Sequence, residues 1–280
     1  MESEFLLRLI KENLYGPVQA VQMGYSPVGT PLMNVYFYRL GGLVIDTGQR
    51  HMQNAARQAM ADGSIRHILL THHHEDHSGN AAALRDLTGA TVWGHRITAA
   101  KLAGGFHIRP YQHFIWDAAR PIPIAPLQGP VASGGYVLTP VETPGHSKDH
   151  VVYIEKNNGW LFAGDLFIGE RIKFFRVDED MGSQITSLRK VLKLDFDVLF
   201  CAHNPRLKNG RHALSRKLDF LEGLRDKVQD LHCQGYPLQD IIKRLDPKTD
   251  RRVKWITMGN ASFANMVRSA LKSVPDPSPA

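Results

Sequence analysis

Short apolar runs bounded by turn residues recur through the first third of the chain and predict β-strands. The predicted strands cover residues 18–23, 33–40, 43–45, 65–70 and 91–93. Apolar residues at helical spacing predict helices over residues 52–60 and 80–87. The same spacing predicts a short amphipathic helix near the start of the chain, from Phe5, Leu6, Leu9 and Ile10.

A second set of strand-like runs lies between residues 136 and 201. The predicted strands are residues 136–142, 150–155, 159–163 and 197–201, and one helix is predicted over residues 184–192. Strands that first follow one another and later alternate with helices are typical of a layered α/β domain.

The pattern becomes helical from about residue 210. Apolar residues recur at helical spacing at Leu214, Leu218, Leu221, Leu224 and Val228. Two shorter helices are predicted over residues 237–245 and 259–271, and the Pro-rich end at 275–280 predicts a flexible tail. We therefore separate a helical C-terminal segment, residues 210–274, from the preceding 209 residues.

The stretch from residue 105 to 135 shows no regular pattern, yet it is rich in aromatic residues and proline. A long loop inside a compact domain is usually functional or disordered, and the aromatic residues argue against disorder. We predict a lid or wall beside a site, with substrate contacts from Phe106, Arg109, Tyr111, Phe114 and Trp116. A surface insertion is the alternative.

Composition excludes several classes of protein. No apolar run approaches the roughly 18 residues of a membrane span, so no membrane partner is expected. The two cysteines do not suggest a disulfide framework. The acidic start, Met1-Glu2-Ser3-Glu4, is unlike a basic secretory signal, and we expect a cytoplasmic protein. The oligomeric state is left open, and an oligomer is compatible with the sequence.

Basic charge is concentrated after residue 170, where 21 Lys and Arg face 13 Asp and Glu, a net of +8. A solvated helical surface explains this surplus. Attraction of an anionic small molecule, such as a thioester of an anionic carrier, explains it equally well. Arg171 and Lys173 are candidates for meeting such an anion. Nucleic acid is not favoured, because no Gly/Arg-rich tract or aromatic–basic interleaving is present.

One motif carries most of the chemical information. His72, His74, Asp76 and His77 fall within six residues, directly after the apolar run that ends at Leu70. Imidazole and carboxylate together suit zinc and other first-row divalent ions. Alternation should point His72 and His74 the same way. His73, between them, should point away, and Glu75 is interpreted as a turn or helix-start residue.

Three further residues of metal-ligating type follow the ends of later predicted strands, namely His146, Asp165 and His203. Open sheets place their sites at such strand ends. This order of motifs resembles the metallo-β-lactamase superfamily, and within it the glyoxalase II-like hydrolases. The resemblance covers roughly residues 18–205.

The resemblance implies a four-layer αββα sandwich with a helical C-terminal extension that helps to form the substrate pocket. It implies one metal bound by His72, His74 and His146, and a second bound by Asp76, His77 and His203. Asp165 would bridge the two metals, so that Asp76 and Asp165 also take catalytic roles. Asp46 would orient the histidine loop from behind.

The function implied is hydrolysis by a metal-bridging hydroxide, since metal binding lowers the pKa of water to near 7. We expect a thioester, ester or lactone of a small anionic metabolite as substrate. A phosphodiesterase or nuclease, or a β-lactamase-like amidase, on the same two metals is the alternative. Zinc is the default ion, and iron or manganese accepts the same ligands.

Overall fold

A seven-stranded sheet forms the first half of the computed structural model, which describes residues 7–27, 29–246 and 251–273. In spatial order its strands are β1 (Leu7–Tyr15), β2 (Val18–Ser26), β3 (Asn34–Leu40), β4 (Leu43–Ile45), β5 (His67–Leu69), β6 (Thr91–Gly94) and β7 (Ala125–Pro126). The strands β1 to β4 pair antiparallel, and β4 to β7 pair parallel. Hairpins thus give way to helical crossovers, which parallel pairing requires.

A five-stranded sheet covers the inner face of the first. Its members and a short ribbon beside it are β8 (Val131–Ser133), β9 (Tyr136–Glu142), β10 (Val151–Glu155), β11 (Trp160–Gly164), β12 (Phe175–Arg176), β13 (Val198–Cys201) and β14 (Ala261–Ser262). The order across the sheet is β13-β11-β10-β9-β8, while β12 and β14 pair separately. The C-terminal segment therefore hydrogen-bonds to the chain that follows Asp165.

The helices lie outside the two sheets. A 3₁₀ turn (Arg50–Met52) leads into the first of them, and the series is α1 (Gln53–Ala59), α2 (Glu75–Ser78), α3 (Ala81–Thr88), α4 (Arg96–Gly104), α5 (Pro110–Ile115), α6 (Met181–Val191), α7 (Gly210–Cys233), α8 (Leu238–Leu245), α9 (Arg251–Ile256) and α10 (Phe263–Lys272). Among the described residues, none of these helices combines the length and apolar character needed to cross a membrane.

Three apolar clusters separate four layers. Tyr38 and Phe162 lie in the cluster between the sheets. Ile68 and Leu84 belong to a cluster on the outer face of the first sheet, and Leu161, with α6, α7 and α10, belongs to one outside the second. Successive residues of a strand face opposite sides, so Ile68 packs under the helices while Leu69 packs between the sheets. The αββα sandwich is confirmed.

Two sequence-based expectations were wrong. Leu9 and Ile10 belong to β1, an edge strand paired along its length with β2, and not to a helix, while Phe5 and Leu6 lie outside the described residues. Pairing with an available sheet edge outweighs a weak helical period. The stretch 105–135 is not patternless, because it contains α5, β7 and β8.

The proposed boundary at residue 209 stays a prediction, although α7 and α10 share the core of the second sheet. The tail predicted at 275–280 lies outside the described residues.

Candidate metal centre

The ends of five strands meet at one edge of the sandwich. Backbone hydrogen bonds tie these ends together, from Asp46 N to Leu69 O at 2.9 Å, from Val151 N to Thr71 O at 2.8 Å and from Ala202 N to Gly164 O at 3.2 Å. The candidate side chains are thus attached to hydrogen-bonded strand ends of both sheets. Such strand ends fix side-chain positions more precisely than free loops do.

Three histidines form the first cluster. His74 Nδ1 lies 2.8 Å from His72 Nε2 and 3.1 Å from His146 Nε2. A tetrahedral zinc site with Zn–N bonds near 2.0–2.1 Å separates its nitrogens by roughly 3.3 Å. These three nitrogens therefore have close to the spacing of ligands around one ion, and all three side chains are buried.

Two carboxylates and two histidines form the second cluster. His203 Nε2 lies 3.4 Å from Asp76 Oδ2 and 3.3 Å from Asp165 Oδ1, and His77 Nε2 lies 3.4 Å from Asp165 Oδ1. The four ligand atoms lie within 4.8 Å of one another. His77 Nε2 and Asp165 Oδ1 are buried without a hydrogen-bond partner, which leaves both atoms available to a cation.

Asp165 touches both clusters, because its Oδ2 lies 3.3 Å from His146 Nε2 while its Oδ1 faces His77 and His203. A carboxylate so placed can serve two ions. The donor set of imidazole nitrogens and carboxylate oxygens fits zinc, iron or manganese, so the residues present fit the pair of metals that the sequence implies.

A second partner fixes the orientation of three of these rings through the nitrogen that faces away from the clusters. His77 Nδ1 lies 2.8 Å from Asp46 Oδ2, His203 Nδ1 lies 2.8 Å from the carbonyl of Asn34 and His146 Nδ1 lies 3.3 Å from Glu179 Oε2. Because these acceptors hold a proton on Nδ1, Nε2 is the nitrogen that each of these rings can offer to a metal.

Charge differs between the clusters. Desolvation lowers the pKa of His72 and of His74 well below the ordinary histidine value, so both rings are neutral at pH 7. Burial alone would also lower the pKa of His77 and of His203, but neighbouring carboxylates, chiefly Asp76 and Asp165, raise it well above that value. The second cluster therefore holds two carboxylates opposite two histidines that retain a proton, and a bound cation would take the place of those protons.

Asp46 stands behind the histidine loop in a left-handed conformation, with φ of 61°. Its carboxylate accepts hydrogen bonds from Thr71 N at 2.8 Å and from Thr71 Oγ1 at 2.9 Å, besides holding His77. Aspartate tolerates this region of φ better than most residues. Its position is the one expected for a residue that orients the loop.

A cavity of about 200 Å³ opens beside the first cluster. Its lining includes His74, Glu75, Phe106, Arg109, Gln112 and Arg176. The side chain of Gln112 joins the predicted lid to the metal loop, because its Nε2 donates to Glu75 Oε1 at 2.5 Å.

The predicted substrate residues divide into two groups. Phe106 and Arg109 line the cavity, and Tyr111 supports it by accepting a hydrogen bond from Asn260 Nδ2 at 2.7 Å. Phe114, Trp116, Arg171 and Lys173 are not part of the lining. Phe114 is 61% exposed, and both basic residues also face solvent.

His73 lies outside both clusters, as the alternation predicts. Its Nδ1 lies 2.9 Å from the Asp149 carboxylate and its Nε2 lies 2.8 Å from Lys101 Nζ. Burial lowers the pKa of His73 despite the carboxylate. A neutral ring that donates from Nδ1 to Asp149 and accepts from Lys101 at Nε2 satisfies both contacts.

The family model of the metallo-β-lactamase superfamily matches residues 33–203, more than half of the chain. The chain belongs to the metallo-β-lactamase superfamily. A metallo-β-lactamase family protein of Thermus thermophilus has a TM-score of 0.63 at 19% identity, over 95% of this chain and 93% of that one. A flavo di-iron protein of Thermotoga maritima has a TM-score of 0.55 at 16% identity, over 82% and 71%. At such identities these likenesses show the fold alone.

Curated relatives of the superfamily are more similar in sequence. Thioesterase pkgB of Emericella nidulans is 29% identical over 208 residues, which are 69% of this chain and 53% of that protein. Hydroxyacylglutathione hydrolase of Cereibacter sphaeroides is 34% identical over 149 residues, which are 52% of this chain and 51% of that protein. The chain therefore spans about half the length of these relatives.

Sequence reasoning missed several side chains that this superfamily member places at its candidate centre. Glu179 orients His146, Gln112 and Arg176 line the cavity, and His150 Nε2 accepts a hydrogen bond from Asp165 N at 3.0 Å. Burial lowers the pKa of His150 to about 3, which keeps it neutral for that role. Of these residues only His150 offers a sequence signal, since it follows His146 by four residues.

Proposed function

We propose that the chain is a dinuclear metal-dependent hydrolase that acts on a thioester, ester or lactone of a small anionic metabolite. One observation carries the proposal, the convergence of seven ligand-type side chains in two clusters that share Asp165. The relatives named thioesterase and hydroxyacylglutathione hydrolase support the reaction class.

Each residue has a proposed part. His72, His74 and His146 hold one ion, Asp76, His77 and His203 hold the other, and Asp165 keeps the two together. Two bound divalent ions, zinc by default, would supply a hydroxide nucleophile at neutral pH and stabilise a developing oxyanion.

Two arginines offer contacts to an anionic substrate, although Glu75 and Asp178 line the same cavity. Arg109 and Arg176 line the cavity beside His74, and Phe106 gives it an apolar side. A substrate with its scissile carbonyl at the clusters and an anionic part in this cavity would use both features. Among the aromatic residues predicted to contact the substrate, Phe106 lines the cavity and Trp116 does not. We therefore keep Phe106 as the aromatic contact.

The decisive experiment measures metal content and hydrolysis together. Protein reconstituted with zinc, iron or manganese should hold close to two ions per chain. A panel of thioesters, lactones, β-lactams and bis(p-nitrophenyl) phosphate should show thioesters with the highest kcat/KM. Phosphodiester cleavage above all others would favour the nuclease alternative, and β-lactam cleavage above all others would favour the amidase.

A matched pair of variants controls this experiment. Asp165→Asn should reduce the metal content to about one ion and abolish most hydrolysis. Asp195→Asn, at an exposed carboxylate, should change neither. A metal content of one or less in the reconstituted wild-type protein would overturn the dinuclear assignment.

A further inference from the structure

Exposed apolar side chains are concentrated beside the mouth of the cavity. Ten large apolar side chains are exposed among the described residues, and five of them belong to three segments that meet near Asn260. These five, which we call the apolar rim, are Phe114, Val177, Trp255, Ile256 and Met258. Contiguous apolar surface of this kind marks a site of contact with a protein, a ligand or a membrane.

Hydrogen bonds and strand register bring the three segments together. Tyr111 of α5 accepts a hydrogen bond from Asn260 Nδ2 at 2.7 Å, and Phe114 lies one helical turn beyond Tyr111. Val177 directly follows Arg176, which pairs with β14. The other three rim residues lie at the end of α9 and in the turn that leads from it to Asn260. Because Val177 and Asn260 both line the cavity, the rim borders its mouth.

The helix α9 has one anchored face and one open face. Thr257 Oγ1 donates to the carbonyl of Val253 at 2.8 Å and accepts from Ala261 N at 3.0 Å, which fixes the end of α9 on β14. Val253 and Thr257 are four residues apart and therefore share the anchored face. Trp255 lies on the other face and is 83% exposed.

Met258 is held outward by an unusual backbone conformation. Its φ is 50°, in a region that residues other than glycine rarely adopt, and its side chain is 60% exposed. Glycine or asparagine would suit this turn better. The turn therefore presents an apolar side chain to the outside at a conformational cost.

Cations alternate with the apolar residues on the open face. Residues 251–258 include Arg251, Arg252 and Lys254 but no aspartate or glutamate, and all three cations are exposed. The acidic residue next to Val177, Asp178, lies 3.4 Å from Arg176 Nε and is paired there. The open face is therefore both apolar and positively charged.

This composition decides among possible occupants. The centre of a protein interface is depleted of charged residues, and single-stranded nucleic acid stacks its bases on successive aromatic rings. The rim instead is aliphatic at three of its five positions and lies among cations. An anionic bilayer suits both features, because Lys and Arg reach its headgroups while Trp and aliphatic side chains enter the boundary with the acyl chains.

We propose that the apolar rim and the cations of α9 form a docking surface for an anionic phospholipid bilayer. Docking places the mouth of the cavity at the lipid surface, where an amphiphilic molecule reaches it without first dispersing in water. The sequence argues against a membrane partner only because it lacks a spanning run, and a helix that lies on the surface needs none. The proposal does not depend on the proposed hydrolase reaction.

Vesicle binding tests the surface on the full chain. Vesicles of phosphatidylcholine mixed with phosphatidylglycerol should co-sediment with the protein far more than vesicles of phosphatidylcholine alone, and added salt should release it. Phospholipids brominated in their acyl chains should quench tryptophan emission. Trp255→Phe should abolish the quenching and keep most of the binding, because the apolar side chain remains while the emitter is removed.

Further variants assign the contacts. Arg252→Gln and Lys254→Gln should each weaken vesicle binding about fivefold, and Trp255→Ala should weaken it about tenfold or more. The matched controls Lys11→Gln and Leu14→Ala, at exposed positions of β1, should bind as the wild type does. Unchanged thermal unfolding midpoints would show that the variants are folded.

Equal binding of Trp255→Ala and Leu14→Ala, or quenching that survives Trp255→Phe, would overturn the docking surface. A dimer that Trp255→Ala dissociates, without vesicle binding, would assign the rim to a second copy of the chain and reject the proposal. Binding of a labelled oligonucleotide without vesicle binding would reject it as well. Since these measurements record binding alone, their failure leaves the hydrolase proposal standing, and failure to find hydrolysis leaves the docking surface standing.

Discussion

The candidate metal centre and the cavity beside it are neighbours that the chain builds in different ways. Four of the seven ligand-type side chains come from one segment of six residues, on a loop directly after a buried strand. The cavity wall brings Glu75, Gln112, Arg176 and Asn260 from four distant segments, and Asn260 belongs to the C-terminal helical part.

This contrast separates reaction class from specificity. A metal centre needs fixed ligand geometry, and strand ends joined by backbone hydrogen bonds provide it. A specificity wall needs only polar atoms at the right places, so short elements such as α5, β12 and β14 can supply it. Variants in the first region should therefore alter catalysis and metal content, and variants in the second should alter binding.

The largest effect is expected at the first cluster. His74→Ala should lower kcat/KM by more than about 100-fold, since loss of a contact behind a ligand already costs 10–100-fold. The neighbouring His73→Ala serves as control and should cost far less, although it breaks the contact with Asp149. Steady-state kinetics with metal analysis measures both. Equal losses of kcat/KM in the two variants would show that His74 has no role that His73 lacks, and would contradict the assignment of His74 to the first cluster.

Lys217 connects α7 to the segment that carries Asp165, because this buried residue donates from Nζ to the carbonyl of Leu166 at 2.7 Å. Burial lowers its pKa to about 8 from the ordinary 10.5. Between these values the unfolded chain holds a proton that the folded chain lacks, so stability rises with pH across this window. The gain is at most about 3 kcal/mol, and it should be absent in Lys217→Met.

Urea unfolding from pH 7.5 to 10.5 measures this difference. Lys227→Met, at an exposed residue of the same helix, should keep the wild-type pH dependence. If Lys217→Met keeps it as well, the buried ammonium does not couple α7 to the Asp165 loop.

Asp46→Asn tests the support of the second cluster. Asparagine tolerates the left-handed backbone, but its amide nitrogen cannot accept from His77 Nδ1. We expect metal affinity to fall by about 10–100-fold at the second site, measured by competition with a chelator. Asp117→Asn is the matched control, since Asp117 also has a positive φ, of 64°, but lies outside both clusters. Equal metal affinities in the two variants would contradict the role of Asp46.

The smallest effect is expected at the cavity. Tyr111→Phe removes the hydrogen bond from Asn260, which is worth about 1 kcal/mol. We expect KM for anionic thioesters to rise about fivefold with kcat unchanged. Tyr25→Phe, at a ring stacked on His51, is the control. A fall in kcat without a change in KM would show that the C-terminal contact acts on the metal centre and not on binding.

The sequence by itself predicted the layered α/β fold, most strands, the seven ligand-type residues and the superfamily. Strand periodicity and a compact ligand motif are local properties of the sequence. Both can therefore be recognised without knowing which other segments pack against them. The predicted N-terminal helix failed for the complementary reason. Leu9 and Ile10 fit either period, and only pairing with β2 settled the choice.

Tertiary structure alone decided which side chains surround the ligands. Glu179 reaches His146 from the turn before α6, and Arg176 lines the same cavity as Glu75 because β12 pairs with a strand 85 residues later along the chain. Arg171 and Lys173 look equivalent to Arg176 in the sequence, yet they face solvent. Contacts between distant segments depend on how the layers pack, and no periodicity in a single segment encodes them.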